Sequence, residues 1–152
     1  KSFYDPFIRN TKVGFVQNKT YDLLSLSYAA LVTSGTATLE TALFKIPEVV
    51  CYKTSSISYE IGKRLVKNIK YISLVNLILD KPAVTELIQE DFNEGQLRTE
   101  LTDLLDRDRR EKIFEDYYRL ERILGGKGAS DKIAESIVET IKPSKDGTLQ
   151  KT

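Results

Sequence analysis

Residues 29–40 read AALVTSGTATLE. The apolar start predicts a strand, the Ser34-Gly35 pair a tight turn, and the run from Thr36, free of glycine and proline, a helix. The segments on either side follow the same order. Strands are predicted at 13–16, 29–33, 49–52 and 71–74, with helices between them around Tyr21, Leu24 and Leu26, over 36–45 and over 58–67. Strands alternating with helices predict an α/β fold with a parallel sheet, because parallel neighbours need long crossover connections. After residue 80 the period becomes helical. Pro82 is expected to open a helix holding Val84, Leu87 and Ile88, and a second helix carries Leu97, Leu101, Leu104 and Leu105. The mixed-charge run 106–112 reads as a solvated turn or helix face. The helix after it, with Ile113, Phe114, Tyr117, Leu120, Ile123 and Leu124, stops at Gly125-Gly126. A last helix from Ser130 or Asp131 places Ile133, Ala134, Ile137, Val138 and Ile141 on one face. Pro143 follows, leaving one domain over 1–142 and a polar tail over 143–152 that is expected to fray.

A chain of 152 residues with 41% hydrophobic content supplies one ordinary core. Its 23 basic and 22 acidic side chains leave a net charge of +1, so charge gives no support for a nucleic-acid partner, and none is expected. Histidine is absent and Cys51 is the lone cysteine, so no metal site is expected, and no cofactor. Cys51 lies in an apolar run and reads as a buried reduced thiol, which points to an intracellular compartment. No apolar stretch is long enough to span a membrane and no signal-peptide pattern is present, while attachment to a membrane surface stays open. The chain opens close to a strand, with no earlier strand-helix unit, and four strands make a small sheet for so many helices. A piece of a larger polypeptide is the expectation.

Ligands of parallel α/β sheets bind beyond the carboxyl ends of the strands, and Ser34-Gly35 is such an end. Gly35 permits a tight turn and close backbone approach. The first helical amides, near Thr36, Ala37 and Thr38, lack helical acceptors and favour an anion, and the hydroxyls of Ser34, Thr36 and Thr38 can add donors. A diphosphate fits there without a lysine. The loop is neither the GxxxxGK nor the GxGxxG phosphate motif. Glu40 is one residue too far from Thr36 for a capping box, so it either accepts hydrogen bonds from a ribose or sugar diol or faces solvent or another helix. From Lys53 to Lys70 there are five basic residues, Lys53, Lys63, Arg64, Lys67 and Lys70, against Glu60 alone, a local net of +4. That stretch is a solvated helix face, an anionic-substrate surface or a contact for acidic lipid headgroups. Asn76 can read a uracil edge, bind a sugar hydroxyl or satisfy local backbone. Asp80 and Asp91 have the chemistry of general bases, but nothing sets either beside an acceptor hydroxyl, and no catalytic residue is assigned.

SGTATLE, taken with PEVVCYK at 47–53, KRLVKNIKYISLVNLI at 63–78, ELIQEDFN at 86–93 and LGGKGASDKIAESI at 124–137, resembles the C-terminal part of the bacterial lipid-A-disaccharide synthase family. The resemblance runs from about residue 13 to 141, and several spaced motifs in one order are far more specific than a glycine loop. It implies a Rossmann-like parallel sheet with flanking helices, forming part of the C-terminal domain of a two-domain GT-B glycosyltransferase. The implied reaction transfers 2,3-diacylglucosamine from UDP-2,3-diacylglucosamine to 2,3-diacylglucosamine 1-phosphate with inversion, giving a β-1,6-linked disaccharide and UDP. By motif, Ser34, Gly35, Thr36 and Ala37 would cradle the diphosphate, Glu40 would bind ribose or donor hydroxyls, and Asn76 would be a donor-site residue. Lys53 stands where arginine is commoner in the family.

Val75 replaces the proline of the family's SLPN pattern, which bears on loop rigidity but leaves Asn76 in register. The family's acceptor domain and the Gly-Ser-Arg loop opening its C-terminal domain have no counterpart in these residues. The catalytic base is expected in that other domain, and this chain is expected to bind at most. The resemblance also implies a bacterial cytoplasmic location at the inner-membrane face. Lys63, Arg64, Lys67 and Lys70 would form the surface toward anionic membrane or substrate, and a homo-oligomer is compatible with the sequence. The alternatives are another UDP-sugar-using GT-B enzyme or epimerase, and an interaction domain without chemistry.

Overall fold

The computed structural model describes residues 3–33, 35–55, 70–125 and 128–141. Within them the chain forms α1 (Asp5–Ile8), α2 (Thr20–Leu26), β1 (Ala30–Thr33), α3 (Thr36–Leu43), β2 (Glu48–Tyr52), α4 (Leu74–Leu79) and β3 (Thr85–Ile88). A single 3-10 turn (Gln89–Asp91), α5 (Glu94–Asp103), α6 (Arg107–Leu124) and α7 (Ala129–Ile141) complete it. The strands form one parallel sheet in the order β1-β2-β3. Thr33 pairs with Cys51, Cys51 with Leu87 and Tyr52 with Ile88, so all three strands end at one edge. The α/β class and the parallel sheet flanked by helices are as expected.

Two predicted strands are not strands. Residues 13–16 have no ladder partner among the described residues, and Val13, Phe15 and Val16 are exposed. Residues 71–74 lead instead into α4, because the Ser73 hydroxyl accepts the Asn76 amide and caps the helix. The expected helix from Pro82 is replaced by β3, which lies in register along β2. Apolar runs this short carry no decisive period, and pairing with β2 settles the matter. The expected helix over 58–67 and the tail over 143–152 lie outside the described residues.

Helices α3, α4 and α6 touch one another, α3 also covers β1 and β2, and α5 lies on β3. Alanine, valine and leucine side chains fill the interior, including Ala42, Val49, Val50, Val75, Leu79, Val84 and Leu87. From α6, Ile113, Tyr117 and Leu120 enter it on one stripe and are almost completely buried. Burial of each such side chain is worth roughly 2 kcal/mol. The Tyr117 hydroxyl donates to the Ile46 carbonyl at 3.3 Å, which ties α6 to the approach of β2. Asp106 caps α6 by accepting the Arg109 amide at 2.9 Å, and Gly125 ends it at φ 79°, the expected stop. The charged run is thus the first turn and a half of a helix, with Arg110 stacked on the Tyr28 ring. Helix α7 forms as expected, but Ile133, Ile137, Val138 and Ile141 are all exposed. Cys51 is half-buried at the end of β2, and burial raises its thiol pKa. Among the described residues no helix is long and apolar enough to cross a membrane.

Candidate functional site

The common carboxyl edge of the sheet gathers three loops, after Thr33, after Tyr52 and after Ile88. At the first, Gly35 sits at φ 130°, where a side chain is strained, and a Cβ placed there would meet nothing within 4 Å. The turn therefore requires glycine and faces open space. It leads directly into α3, whose N-terminus has no side-chain cap. Thr36 and Ala37 are exposed, and no described acceptor takes their amides. An uncapped, solvent-facing helix start behind a glycine turn is the geometry that receives an anion.

Thr38, two residues on, is not part of that opening. It is buried, and its hydroxyl donates to the Gly35 carbonyl at 2.8 Å, bracing the turn from within. Glu40 lies one helical turn after Thr36, half-buried, and makes no hydrogen bond or ion pair among the described residues. Ser34, the first hydroxyl of the motif, lies outside the described residues.

At the second loop Lys53 is exposed and its ammonium has no partner among the described residues. The peptide beyond it is held from the third loop. The Gln89 side chain accepts the Thr54 amide through Oε1 at 2.8 Å and donates Nε2 to the Thr54 carbonyl at 3.2 Å. The register thus brings Gly35, Thr36, Ala37 and Lys53 to one edge.

Asn76 is elsewhere. It is 1% exposed in α4, and its side chain faces β3. Its Nδ2 donates to the Val84 carbonyl at 2.8 Å and to Glu86 Oε1 at 2.9 Å, while its Oδ1 accepts the Val84 amide at 2.9 Å. Of the three uses its chemistry allows, the structure shows satisfaction of the fold, and neither amide hydrogen is left for a ligand. Glu86 also accepts the backbone amides of Ile72 and Ser73 at 3.0 and 2.9 Å. The start of α4 is thereby filled by the protein's own carboxylate, in contrast to the open start of α3.

Lys70 pairs with Asp80 at 3.5 Å, both largely exposed, a contact worth little. Lys63, Arg64 and Lys67 lie outside the described residues. The roles of Glu86 and Gln89 are not among those expected from the sequence. Both sit in the ELIQ stretch, Glu86 inside β3 and Gln89 just past its end, and the one local signal is two polar side chains bracketing apolar ones.

A family model described as lipid-A-disaccharide synthetase matches residues 6–141. The chain is 40% identical over 133 residues to the lipid-A-disaccharide synthase of Syntrophus aciditrophicus, covering 87% of this chain and 34% of that protein. It is 37% identical over 136 residues to the synthase of Hahella chejuensis, covering 90% and 34%. Against that of Nitrosococcus oceani it is 36% identical over 127 residues, covering 83% and 32%. The chain spans about a third of the length of these curated relatives.

Proposed function

The chain belongs to the lipid-A-disaccharide synthetase family, and from that premise we propose that it supplies the donor-nucleotide part of a glycosyltransferase. The protein containing it would transfer 2,3-diacylglucosamine from its UDP donor to 2,3-diacylglucosamine 1-phosphate, forming the β-1,6-linked disaccharide. The observation that carries the reading is the open N-terminus of α3 behind Gly35. Its free amides and dipole would hold the diphosphate, with Ser34 and Thr36 hydroxyls as further donors and Lys53 as the nearby cation. Glu40 would accept hydrogen bonds from the ribose or a donor hydroxyl, one turn along the same helix. Asn76 would serve the site by fixing α4 on β3, since its amide is spent there.

In the reaction an acceptor hydroxyl oxygen forms a bond to the donor's anomeric carbon while the bond from that carbon to the phosphate oxygen breaks. The hydroxyl proton passes to a base that no residue of this chain is assigned to provide, and the bonding pair leaves with UDP. The contribution of these residues is charge stabilisation of the departing diphosphate. The basic stretch from Lys53 to Lys70 supports a peripheral position on an anionic, cytoplasmic membrane face, where both acylated substrates would be met.

Calorimetry on the full-length protein tests the site. Glu40→Ala is expected to weaken UDP-sugar binding about tenfold, the scale of a lost hydrogen bond to a charged group. Glu94→Ala, on a carboxylate exposed at the start of α5, is expected to change nothing. Equal affinities for the two variants would remove Glu40 from the site.

A further inference from the structure

Parallel pairing between β2 and β3 ends at the Tyr52–Ile88 rung. One more rung exists, made by a side chain. Gln89, the first residue past β3, adopts φ 53°, a left-handed conformation that glutamine seldom takes. From there its carboxamide reproduces a strand's pattern on Thr54, accepting the amide at 2.8 Å and donating to the carbonyl at 3.2 Å. Both bonds are partly buried and span 35 residues of sequence. The neighbour of the clamped peptide is Lys53, exposed at the same edge as Gly35 and unpaired among the described residues. A long ammonium side chain binds an anion well only if its backbone is held at a fixed height, because otherwise the contact must also order the loop.

We infer that Gln89 is a positioning residue of this edge. By fixing the Thr54 peptide it sets where Lys53 meets the anionic diphosphate of a nucleotide sugar, without touching the ligand itself. The inference rests on the proposed donor site. Gln89 acts through Lys53, so the two should not be independent.

The experiment uses the full-length enzyme with UDP as the probe, comparing wild type, Lys53→Ala, Gln89→Leu, Gln89→Glu and the Lys53→Ala/Gln89→Leu double variant by calorimetry, thermal unfolding and steady-state kinetics. Gln89→Leu keeps the volume and removes both bonds, and is expected to raise the Kd for UDP about fivefold, as misplacement of one charge-assisted contact would. The KM for the donor should rise in step while the KM for the acceptor stays unchanged. Gln89→Glu, which can still accept the Thr54 amide, should fall between Gln89→Leu and wild type. The double variant should bind UDP no worse than Lys53→Ala alone. Additive losses in the double variant, or a Gln89→Leu protein that unfolds earlier yet binds UDP like wild type, would overturn the inference. If wild type binds UDP and Lys53→Ala weakens it while Gln89→Leu does not, only the positioning role fails. A wild-type enzyme that does not bind UDP sinks the donor site and this inference together.

Discussion

Glu48, the first residue of β2, has no exposed surface, and neither of its carboxylate oxygens has a hydrogen-bond partner among the described residues. Burial pushes its pKa from 4.5 to about 9, so the folded protein carries it as a neutral acid at neutral pH. The nearby Tyr117 phenol, itself pushed up by burial and by Glu48, stays neutral as well. The consequence for stability has a definite sign. As pH rises above 4.5 the unfolded chain releases a proton that the folded chain keeps, so stability falls by about 1.4 kcal/mol per pH unit until roughly pH 9. At pH 7 the accumulated loss is about 3 kcal/mol relative to pH 4.5. Glu48→Gln, which cannot ionise, is expected to be more stable than wild type at pH 8 and to lose that advantage near pH 5. Urea unfolding at the two pH values checks this. A pH-independent difference between the two proteins would show that Glu48 ionises normally in the fold. Nothing local in PEVVCYK announces such a group, because its state depends on what covers the strand.

Among the elements, α4 and β3 are the pair that local pattern misassigned, and the residues that hold them together explain why. The helix starts at Ser73 rather than ending a strand there, since Ser73 caps it and Glu86 takes the two amides before it. Those partners lie 13 and 14 residues away, beyond any window of periodicity. By contrast α3, α6 and the stop at Gly125 depend on contacts within a turn or two, and the sequence shows them. The same division applies to the site. The Gly35 turn and the open start of α3 are local and legible, whereas the bond from Gln89 to Thr54 needs the register of β2 against β3. Asn76 stands at the joint of α4 and β3, so its prediction is one of stability. Asn76→Ala leaves the Val84 amide and carbonyl without their buried partners and is expected to cost about 2–3 kcal/mol in denaturant unfolding of the full-length protein. UDP affinity, measured where the variant is still folded, should fall less than in Glu40→Ala. Full stability combined with lost UDP binding would instead make Asn76 a ligand contact that rearranges to reach it.

Over the whole of this chain the net charge is only +1, while the stretch from Lys53 to Lys70 carries +4. A second feature can also meet a bilayer, the apolar stripe of Ile133, Ile137, Val138 and Ile141 exposed on α7. The two would attach by different physics. Attraction between basic side chains and lipid phosphates is screened within a Debye length of about 8 Å near physiological salt, whereas insertion of apolar side chains is not weakened by salt. If the basic stretch carries the attachment, the full-length protein should sediment with phosphatidylglycerol-containing vesicles at low salt and be released at about 0.5 M salt. At about 1 kcal/mol per basic residue, changing Lys63, Arg64 and Lys67 together to glutamine should weaken vesicle binding roughly a hundredfold at low salt. Replacing Ile137 with serine, on the stripe of α7, should leave the salt dependence as it was. Binding that survives both high salt and the triple substitution would transfer the attachment from charge to apolar surface and leave the basic stretch as a solvated face.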